Sequence, residues 1–273
     1  MSMPTLSAEM TQAPFDALAE GYDHGFTFSK VGQAQRSAVW KELGRTFCPG
    51  DRVLEIGCGT GVDACFLSEH GVEVVACDSS PAMIRVAARR IQDCGAKRVE
   101  LRLLAAENLA AIRHQAPFDG VFSNFAALNC VEDLSAVAHN LGRLLRPGGT
   151  ALVCFLGPNC FWEILWFLLK ASPRKAFRRW HSASVTAELA PGARVQVHYY
   201  SVRSLTHIFE RSMRLRSWRG IGLAVPPSYV ESTATRFPAL LRLAERSDRV
   251  LARCPVLRGF SDHVLLKFER VQL

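Results

Sequence analysis

The sequence lacks the patterns that mark several common classes of functional site. None of its nine cysteines forms a C-x-x-C pair, and no group of Cys and His residues has the spacing of a zinc site. No Lys-Ser or Lys-Thr pair follows its glycine-rich stretch, so a P-loop for nucleotide phosphates is excluded. The longest apolar run, Phe161–Leu169, contains Glu163 and is too short to span a bilayer. We therefore expect neither a bound metal ion nor a transmembrane helix.

The N-terminus also lacks the basic-then-apolar pattern of a secretory signal. The odd number of cysteines, several of them inside apolar strand-like runs, favours a reducing compartment, and we expect a cytoplasmic protein. The 273 residues suit one large α/β domain, and a composition with 49% hydrophobic and 21% charged residues is typical of globular proteins.

Positive charge is concentrated in the C-terminal half of the chain. Residues 1–150 carry 14 Lys/Arg and 17 Asp/Glu, whereas residues 151–273 carry 19 and 8, within a formal net charge of +8. This asymmetry fits an anionic partner of the C-terminal half, namely a carboxylate or phosphate substrate, a nucleic acid or a membrane surface. It equally fits an arginine-rich face that is only solvated.

Short apolar strands alternate with helices from about residue 50 to 157, which is typical of a parallel sheet covered by helices on both faces. The pattern changes beyond 157. The strands are predicted at 52–56, 72–77, 99–104, 118–122, 150–155, 194–200, 213–218 and 264–270. The helices are predicted at 62–69, 81–92, 134–145, 161–179, 202–211 and 229–252, with two more between 15 and 43 that are interrupted around 21–29.

The most specific motif is VLEIGCGTG at residues 53–61, where an apolar strand runs into Gly57, Gly59 and Gly61. Glycines permit a tight turn against which a ligand lies on bare backbone, next to the unpaired N–H groups of the following helix. A dinucleotide loop needs its third glycine one position later, where this sequence has valine. The acidic Glu55 beside the loop disfavours a pyrophosphate and favours a ligand with an ammonium group.

A second acid, Asp78, follows the second strand, 21 positions after the first glycine of the loop. Folds with such a loop grip a ribose diol at this place, so Asp78 predicts a nucleoside ligand. The alternative is that Asp78 only caps the helix that begins at Pro81.

Residues 15–157 resemble the class I S-adenosylmethionine-dependent methyltransferases, in particular the small-molecule branch with the ubiquinone/menaquinone-type (methyltransferase type 11) enzymes. Four motifs carry the resemblance in order, namely VLEIGCGTG, CDSSPAMI, FDGVFSNFAAL and LLRPGGTALV. The resemblance implies a Rossmann-like α/β fold with a mostly parallel seven-stranded sheet. It also implies one domain over 1–273, with N-terminal lid helices in 1–48, a cofactor-binding core in 49–157, and a substrate-pocket insertion with the final strands in 158–273.

The resemblance further implies that S-adenosylmethionine is the cofactor and assigns residues to it. Glu55 and the three glycines hold the methionine end, Asp78 takes the ribose hydroxyls and Met83 packs on the adenine. Tyr22, in the N-terminal segment FDALAEGYD, lies by the methionine moiety, and Arg36 pairs with the cofactor carboxylate.

One position departs from the family pattern. The acidic residue that receives the adenine amino group is expected near Ala105 or Ala106, but both are alanine. Glu107, Asn108 or the backbone is expected to take over this contact.

Candidate acceptor contacts follow the fourth strand and lie in the insertion. Asn124 is expected to contact the cofactor or the acceptor, and Asn129 the acceptor. His198, Tyr199 and Tyr200 are candidates for a catalytic base and an aromatic wall, and Arg203 for an acceptor contact. The alternative is that alternate residues of an edge strand simply pack into the core.

The apolar helix with a basic end at 161–180 predicts a lid over the pocket, a buried core helix or a helix lying on a membrane surface. The first function predicted is therefore methyl transfer to a small, apolar or aromatic and in part anionic acceptor. A second is an RNA- or lipid-directed methyltransferase, although no separate RNA-binding domain is recognisable. A third is a cofactor-binding protein or enzyme that transfers no methyl group.

Overall fold

The computed structural model describes residues 6–181, 184–190 and 192–271. Its centre is a seven-stranded sheet. The strands in chain order are β1 Arg52–Ile56, β2 Glu73–Asp78, β3 Val99–Leu103, β4 Phe118–Ser123, β5 Leu145–Leu156, β6 Ser184–Ala190, β7 Ala193–His198, β8 Met213–Ile221 and β9 His263–Arg270. The sheet order is β3-β2-β1-β4-β5-β9-β8, with β9 antiparallel to both neighbours, while β6 and β7 form a separate hairpin. The predicted mostly parallel seven-stranded sheet is confirmed.

Helices cover both faces of this sheet. They are α1 Leu6–Tyr22, α2 Lys30–Thr46, α3 Val62–Glu69, α4 Pro81–Asp93, α5 Leu134–Leu144, α6 Phe161–Leu169, α7 Pro173–Ala176, α8 Arg178–His181, α9 Val202–Phe209, α10 Glu231–Arg236 and α11 Pro238–Leu251. A π-helical turn, Asp23–Thr27, joins α1 to α2. Within residues 6–181, 184–190 and 192–271, no helix has the length and hydropathy needed to cross a bilayer.

Successive strand residues pack into different cores, as the period of a strand requires. Leu54 of β1 lies in one core with Leu141 of α5, whereas its neighbour Val53 lies in a second core with Leu43 of α2. Because the central strands are buried on both sides, their sequences read as continuous apolar runs and were easy to predict.

Proline and an unpredicted strand account for the main differences from the sequence-based elements. The predicted helix 229–252 is broken at Phe237, because the residue before Pro238 is pushed out of the helical region (φ −123°, ψ 67°). The predicted helix 161–179 is three short helices, and Ala171 between the first two has a left-handed φ of 50°. The strand at 194–200 is half of a hairpin whose other strand, β6, was missed.

Side-chain caps fix the elements that surround the carboxyl edge of the sheet. Ser80 caps α4 by accepting from the Met83 N–H, with Pro81 in the first turn where its missing N–H costs nothing. The Glu231 carboxylate of α10 accepts the N–H groups of Lys30 (2.8 Å) and Val31 (3.0 Å) and so holds the N-terminus of α2.

Candidate active site

A cavity of about 700 Å³ opens at the carboxyl ends of the central strands. Its floor is formed by the turns after β1, β2 and β4, its roof by α1, and its far wall by the β6–β7 hairpin and the ends of β5 and β9. Open α/β sheets bind ligands at this edge. The cavity therefore has one half at the glycine loop and a second half in the C-terminal insertion.

The glycine loop has a backbone that other residues would not adopt. Gly57 has a φ of 68°, and a Cβ on it would lie 2.3 Å from the Cβ of Ala127. Gly61 has a φ of 78° and begins α3 as its N-cap. Gly59 lies between them on the cavity surface. The loop thus presents bare backbone to a ligand, as the motif predicts.

Asp78 binds the glycine loop and also lines the cavity. Its Oδ2 accepts the Gly59 N–H (2.9 Å) and its Oδ1 accepts the Ser80 N–H (2.9 Å). Burial raises the pKa of Asp78, and these two N–H groups oppose the rise. Since each carboxylate oxygen has further lone pairs, Asp78 has acceptor capacity left for two ribose hydroxyls.

Glu55 is a buried carboxyl group in which one oxygen lacks a hydrogen-bond partner among the described residues. Its side chain lies on β1 and is 1% exposed, and the oxygen without a partner is Oε2. Burial, followed by the negative charge of Asp63, raises the pKa of Glu55 well above its usual range, and Arg36 opposes this. Glu55 itself is not among the residues that line the cavity, whereas its neighbours Ile56 and Gly57 are. Such an orphaned carboxyl fits a ligand that brings an ammonium group.

Arg36 and Asn124 meet on Asp63, at the start of α3. Arg36 Nη1 lies 2.6 Å from Asp63 Oδ2, and Asn124 Nδ2 donates to the same oxygen (2.8 Å). Trp40 Nε1 donates to Asp63 Oδ1 (2.7 Å), and the Arg36 guanidinium lies 4.8 Å from the ring centroid of Phe125. Both predicted residues line the cavity, but each is held by a protein carboxylate that sequence analysis missed.

Two aspartates of the N-terminal segment attach it to the cavity rim. Asp16 Oδ1 accepts the Ser80 hydroxyl (2.5 Å) and the Ala82 N–H (3.1 Å). Asp23 Oδ1 accepts the Thr60 hydroxyl (2.7 Å), and its Oδ2 pairs with Arg90. The N-terminal segment is therefore bonded to both the start of α4 and the glycine loop.

The roof brings Tyr22 and Met83 to the cavity. Both side chains line it, and both belong to one small apolar cluster with Ala19 and Leu18 of α1. Burial raises the pKa of Tyr22, so its phenol keeps its proton at neutral pH. Of the two substitutes proposed for the missing adenine acid, Glu107 lines the cavity, whereas Asn108 is not among its lining residues.

An ion-pair network lines the second half of the cavity and was missed by sequence analysis. Glu163 of α6 is 1% exposed and accepts from Arg178 (2.7 Å) and from Arg179 Nη2 (2.6 Å). Arg179 also contacts Asp262 Oδ1 (3.3 Å), next to His263 at the start of β9. Helix α6 therefore contributes its one acid, Glu163, to the cavity wall.

Of the predicted catalytic trio, the structure brings Tyr199 to the cavity. The Arg179 guanidinium lies 5.1 Å from its ring centroid, and burial raises its pKa while Arg179 opposes the rise. Tyr200 packs against Phe155 in the core instead, with ring centroids 6.0 Å apart. His198 stacks on Tyr200 (6.2 Å) and is not among the cavity-lining residues.

Asn129 and Arg203 do not reach the cavity either. Asn129 is 0% exposed, and its amide bonds the backbone of Leu156 and the carbonyl of His198 (2.6 Å). It joins β5 to the end of β7, and both of its amide hydrogens are used in doing so. Arg203 is exposed on α9.

The geometry can be compared with known proteins. Residues 53–149 match a family model described as a methyltransferase domain. The demethylmenaquinone methyltransferase of Clavibacter sepedonicus is 34% identical over 145 residues, which cover 52% of this chain and 56% of that protein. That of Renibacterium salmoninarum is 30% identical over 189 residues, which cover 67% and 75%. The chain belongs to the class I S-adenosylmethionine-dependent methyltransferases.

This methyltransferase shares its fold with solved structures of low sequence identity. The CcbJ methyltransferase from Streptomyces caelestis superposes with a TM-score of 0.63 at 16% identity, covering 96% of this chain and 99% of that one. The predicted resemblance, the fold and the cofactor, S-adenosylmethionine, are confirmed. The match spans just over half of the Clavibacter protein's length.

We predict that Asp78→Ala weakens S-adenosylmethionine binding by at least about tenfold, because it removes charge-assisted hydrogen bonds to the ribose. Isothermal titration calorimetry measures this directly. Asp78→Asn keeps the shape of the side chain that contacts the glycine loop, and it should also weaken S-adenosylmethionine binding. Asp93→Ala, an exposed acid at the end of α4, is the matched control. Unchanged affinity in both Asp78 variants would refute the ribose assignment.

Proposed function

We propose that this enzyme methylates a small aromatic acceptor that has an ionisable hydroxyl group and an apolar substituent. The observation that carries the proposal is the composition of the second half of the cavity. Apolar side chains of the hairpin and of the β5 end, including Val195, Val197 and Leu156, line it together with the polar groups of Tyr199 and His263. Relatives named demethylmenaquinone methyltransferases support the same acceptor class.

The cofactor supplies an activated methyl group on a positively charged sulfur. We assign the methionine end to Glu55 and the glycine loop, and the ribose to Asp78. Phe125, which follows Asn124 and has a left-handed φ of 42°, packs edge-on against His263, with its ring centroid 5.4 Å from the imidazole. The acceptor is placed beside Phe125, where positioning supplies much of the rate.

Bound S-adenosylmethionine would supply the methyl group, so the residues of this chain would need only to hold the acceptor and to receive its proton. The proton lost by the acceptor goes to His263, the one histidine on the cavity wall among the described residues. Burial lowers the pKa of His263, so the ring is neutral and accepts a proton at neutral pH. The Glu163 and Asp262 carboxylates pair with Arg178 and Arg179 and serve to hold the wall.

The test uses a reduced naphthoquinone with a short prenyl chain, compared with the same ring without the chain and with a short RNA. We expect release of S-adenosylhomocysteine and a methylated product, with KM lower for the prenylated compound. Tyr199→Phe should lower turnover by about tenfold, while Tyr200→Phe, the matched control on the core side, should not. Turnover on RNA alone, or equal losses in both variants, would contradict the proposal.

A further inference from the structure

Helix α11 has an exposed face that plays no part in the cavity. Leu240, Leu243 and Val250 on this face are 61%, 59% and 72% exposed. Arg242, Arg246 and Arg249 are exposed beside them. We call these six side chains the α11 surface. Soluble proteins seldom expose so many large apolar groups on one short helix without a partner.

The two kinds of side chain are segregated around the helix. At about 100° per residue, the arginines fall on one edge of the exposed face and the apolar groups on the other. The opposite face is fixed to the protein, since Leu241 is buried and Asp248 accepts the N–H groups of Ala224 (2.6 Å) and Val225 (3.1 Å). The α11 surface is therefore a firmly held amphipathic face.

The residues at both ends of α11 are also exposed apolar side chains and arginines. Phe237, just before the helix, and Val256, shortly after it, are 48% and 76% exposed. Arg236 and Arg253 at the two ends are also exposed. The acids of residues 235–260 are Glu245, which is half-buried, and Asp248, which is buried, so the exposed charges there are positive.

We propose that the α11 surface docks on an anionic lipid membrane. The exposed face has apolar side chains along one edge and arginines along the other, which suits a bilayer interface. There the apolar groups would enter the boundary of the acyl chains and the guanidinium groups would contact lipid phosphates. A second copy of this chain on the same surface would set arginine against arginine without acids to pair them. An RNA would engage the arginines and leave the leucines in water.

The docking surface is connected to the cavity. The chain passes from Pro227 and Ser228 on the cavity wall through α10 to Phe237, and Glu231 of α10 holds the start of α2, which carries Arg36. Docking would thus place a cavity wall close to the membrane, from which an apolar acceptor could enter. This consequence rests on the proposed function, whereas membrane binding itself does not.

The test is co-sedimentation of the full chain with vesicles of phosphatidylcholine alone or with about 30% phosphatidylglycerol, at about 0.1 M salt. We expect binding to the anionic vesicles at least about tenfold tighter than to the neutral ones, weakening in high salt. The variants are Leu240→Ser with Leu243→Ser, and Arg242→Gln with Arg246→Gln and Arg249→Gln. Each should lose at least about tenfold in anionic-vesicle binding while its S-adenosylmethionine affinity stays unchanged.

The matched control removes the same charge elsewhere, with Arg143→Gln, Arg211→Gln and Arg214→Gln, all of which are exposed. It should retain most of the vesicle binding. Equal losses in the control and the arginine variant, no preference for anionic vesicles, or normal binding by the leucine variant would overturn the proposal. So would a dimer in sedimentation equilibrium that the leucine variant dissociates. If the wild-type protein bound anionic vesicles but did not methylate the prenylated acceptor, that result would count against the proposed function alone.

Discussion

Replacing Glu55 by glutamine is expected to weaken S-adenosylmethionine binding by at least about a hundredfold, while the ligand-free protein stays at least as stable at neutral pH. A buried ammonium left without its carboxylate costs about 3–5 kcal/mol, and each ~1.4 kcal/mol is a factor of ten. In the ligand-free protein this carboxyl group is buried with its Oε2 unpartnered, and the neutral amide removes the cost of burying a negative charge there. The residue is expected to serve the ligand at the expense of the fold.

The buried Glu55 carboxyl group also predicts how the stability of the ligand-free protein changes with pH. Because burial raises the pKa of Glu55 above its ordinary 4.5, the folded protein binds this proton more tightly than the unfolded chain does. The contribution to stability is fully present below about pH 4.5 and is lost as the pH rises through the folded-state pKa. Wild-type protein without ligand should therefore lose melting temperature over this interval, and Glu55→Gln should lose less.

Calorimetry for affinity and thermal melts across the pH range check both parts. Glu69→Gln, the same change at an exposed position of α3, is the matched control and should alter neither quantity. If Glu55→Gln bound S-adenosylmethionine as wild type does, the ammonium would have to be held elsewhere. If the variant melted far below wild type at neutral pH, Glu55 would have a structural role that its unpaired oxygen does not indicate.

The cofactor half of the site could be predicted because its residues lie in short contiguous motifs. A strand, a glycine turn and a helix place Gly57, Gly59 and Asp78 with little freedom, and these local rules are visible in one sequence. The motifs do not show which hydrogen-bond and ion-pair partners the side chains have within the protein. Asp63, which holds Arg36 and Asn124, has no signal of its own beyond its place in the first turn of α3.

The acceptor half could not be predicted because its residues come together only in three dimensions. Glu163, Arg179, Tyr199 and His263 lie in segments that are far apart in sequence, and the break at Ala171 between α6 and α7 was not anticipated. Residue types alone favoured the run 198–200. Neighbouring residues at a strand end point to different sides. The run therefore supplies Tyr199 to the cavity, while His198 and Tyr200 point away from it.

Replacing His263 by asparagine is expected to lower kcat by about 10²–10⁴, the range ascribed to a positioned general base. The argument begins with location. His263 starts β9 on the cavity wall, its ring packs edge-on against Phe125, and its Nδ1 lies 3.4 Å from Asp262 Oδ2. Burial lowers the pKa of this imidazole below its ordinary 6.5, so at neutral pH it can take the acceptor's proton.

The pH profile separates this role from a structural one. Wild-type kcat on the reduced prenyl-naphthoquinone should fall on the acid side of the His263 pKa, where the ring is protonated, and the asparagine variant should lack that limb. Its S-adenosylmethionine affinity should stay within about twofold, because the cofactor contacts are assigned to other residues. His207→Asn, with a side chain 81% exposed on α9, is the control and should keep wild-type kcat. An unchanged acid limb in His263→Asn would mean that the acceptor gives its proton to water, and that His263 only packs against Phe125.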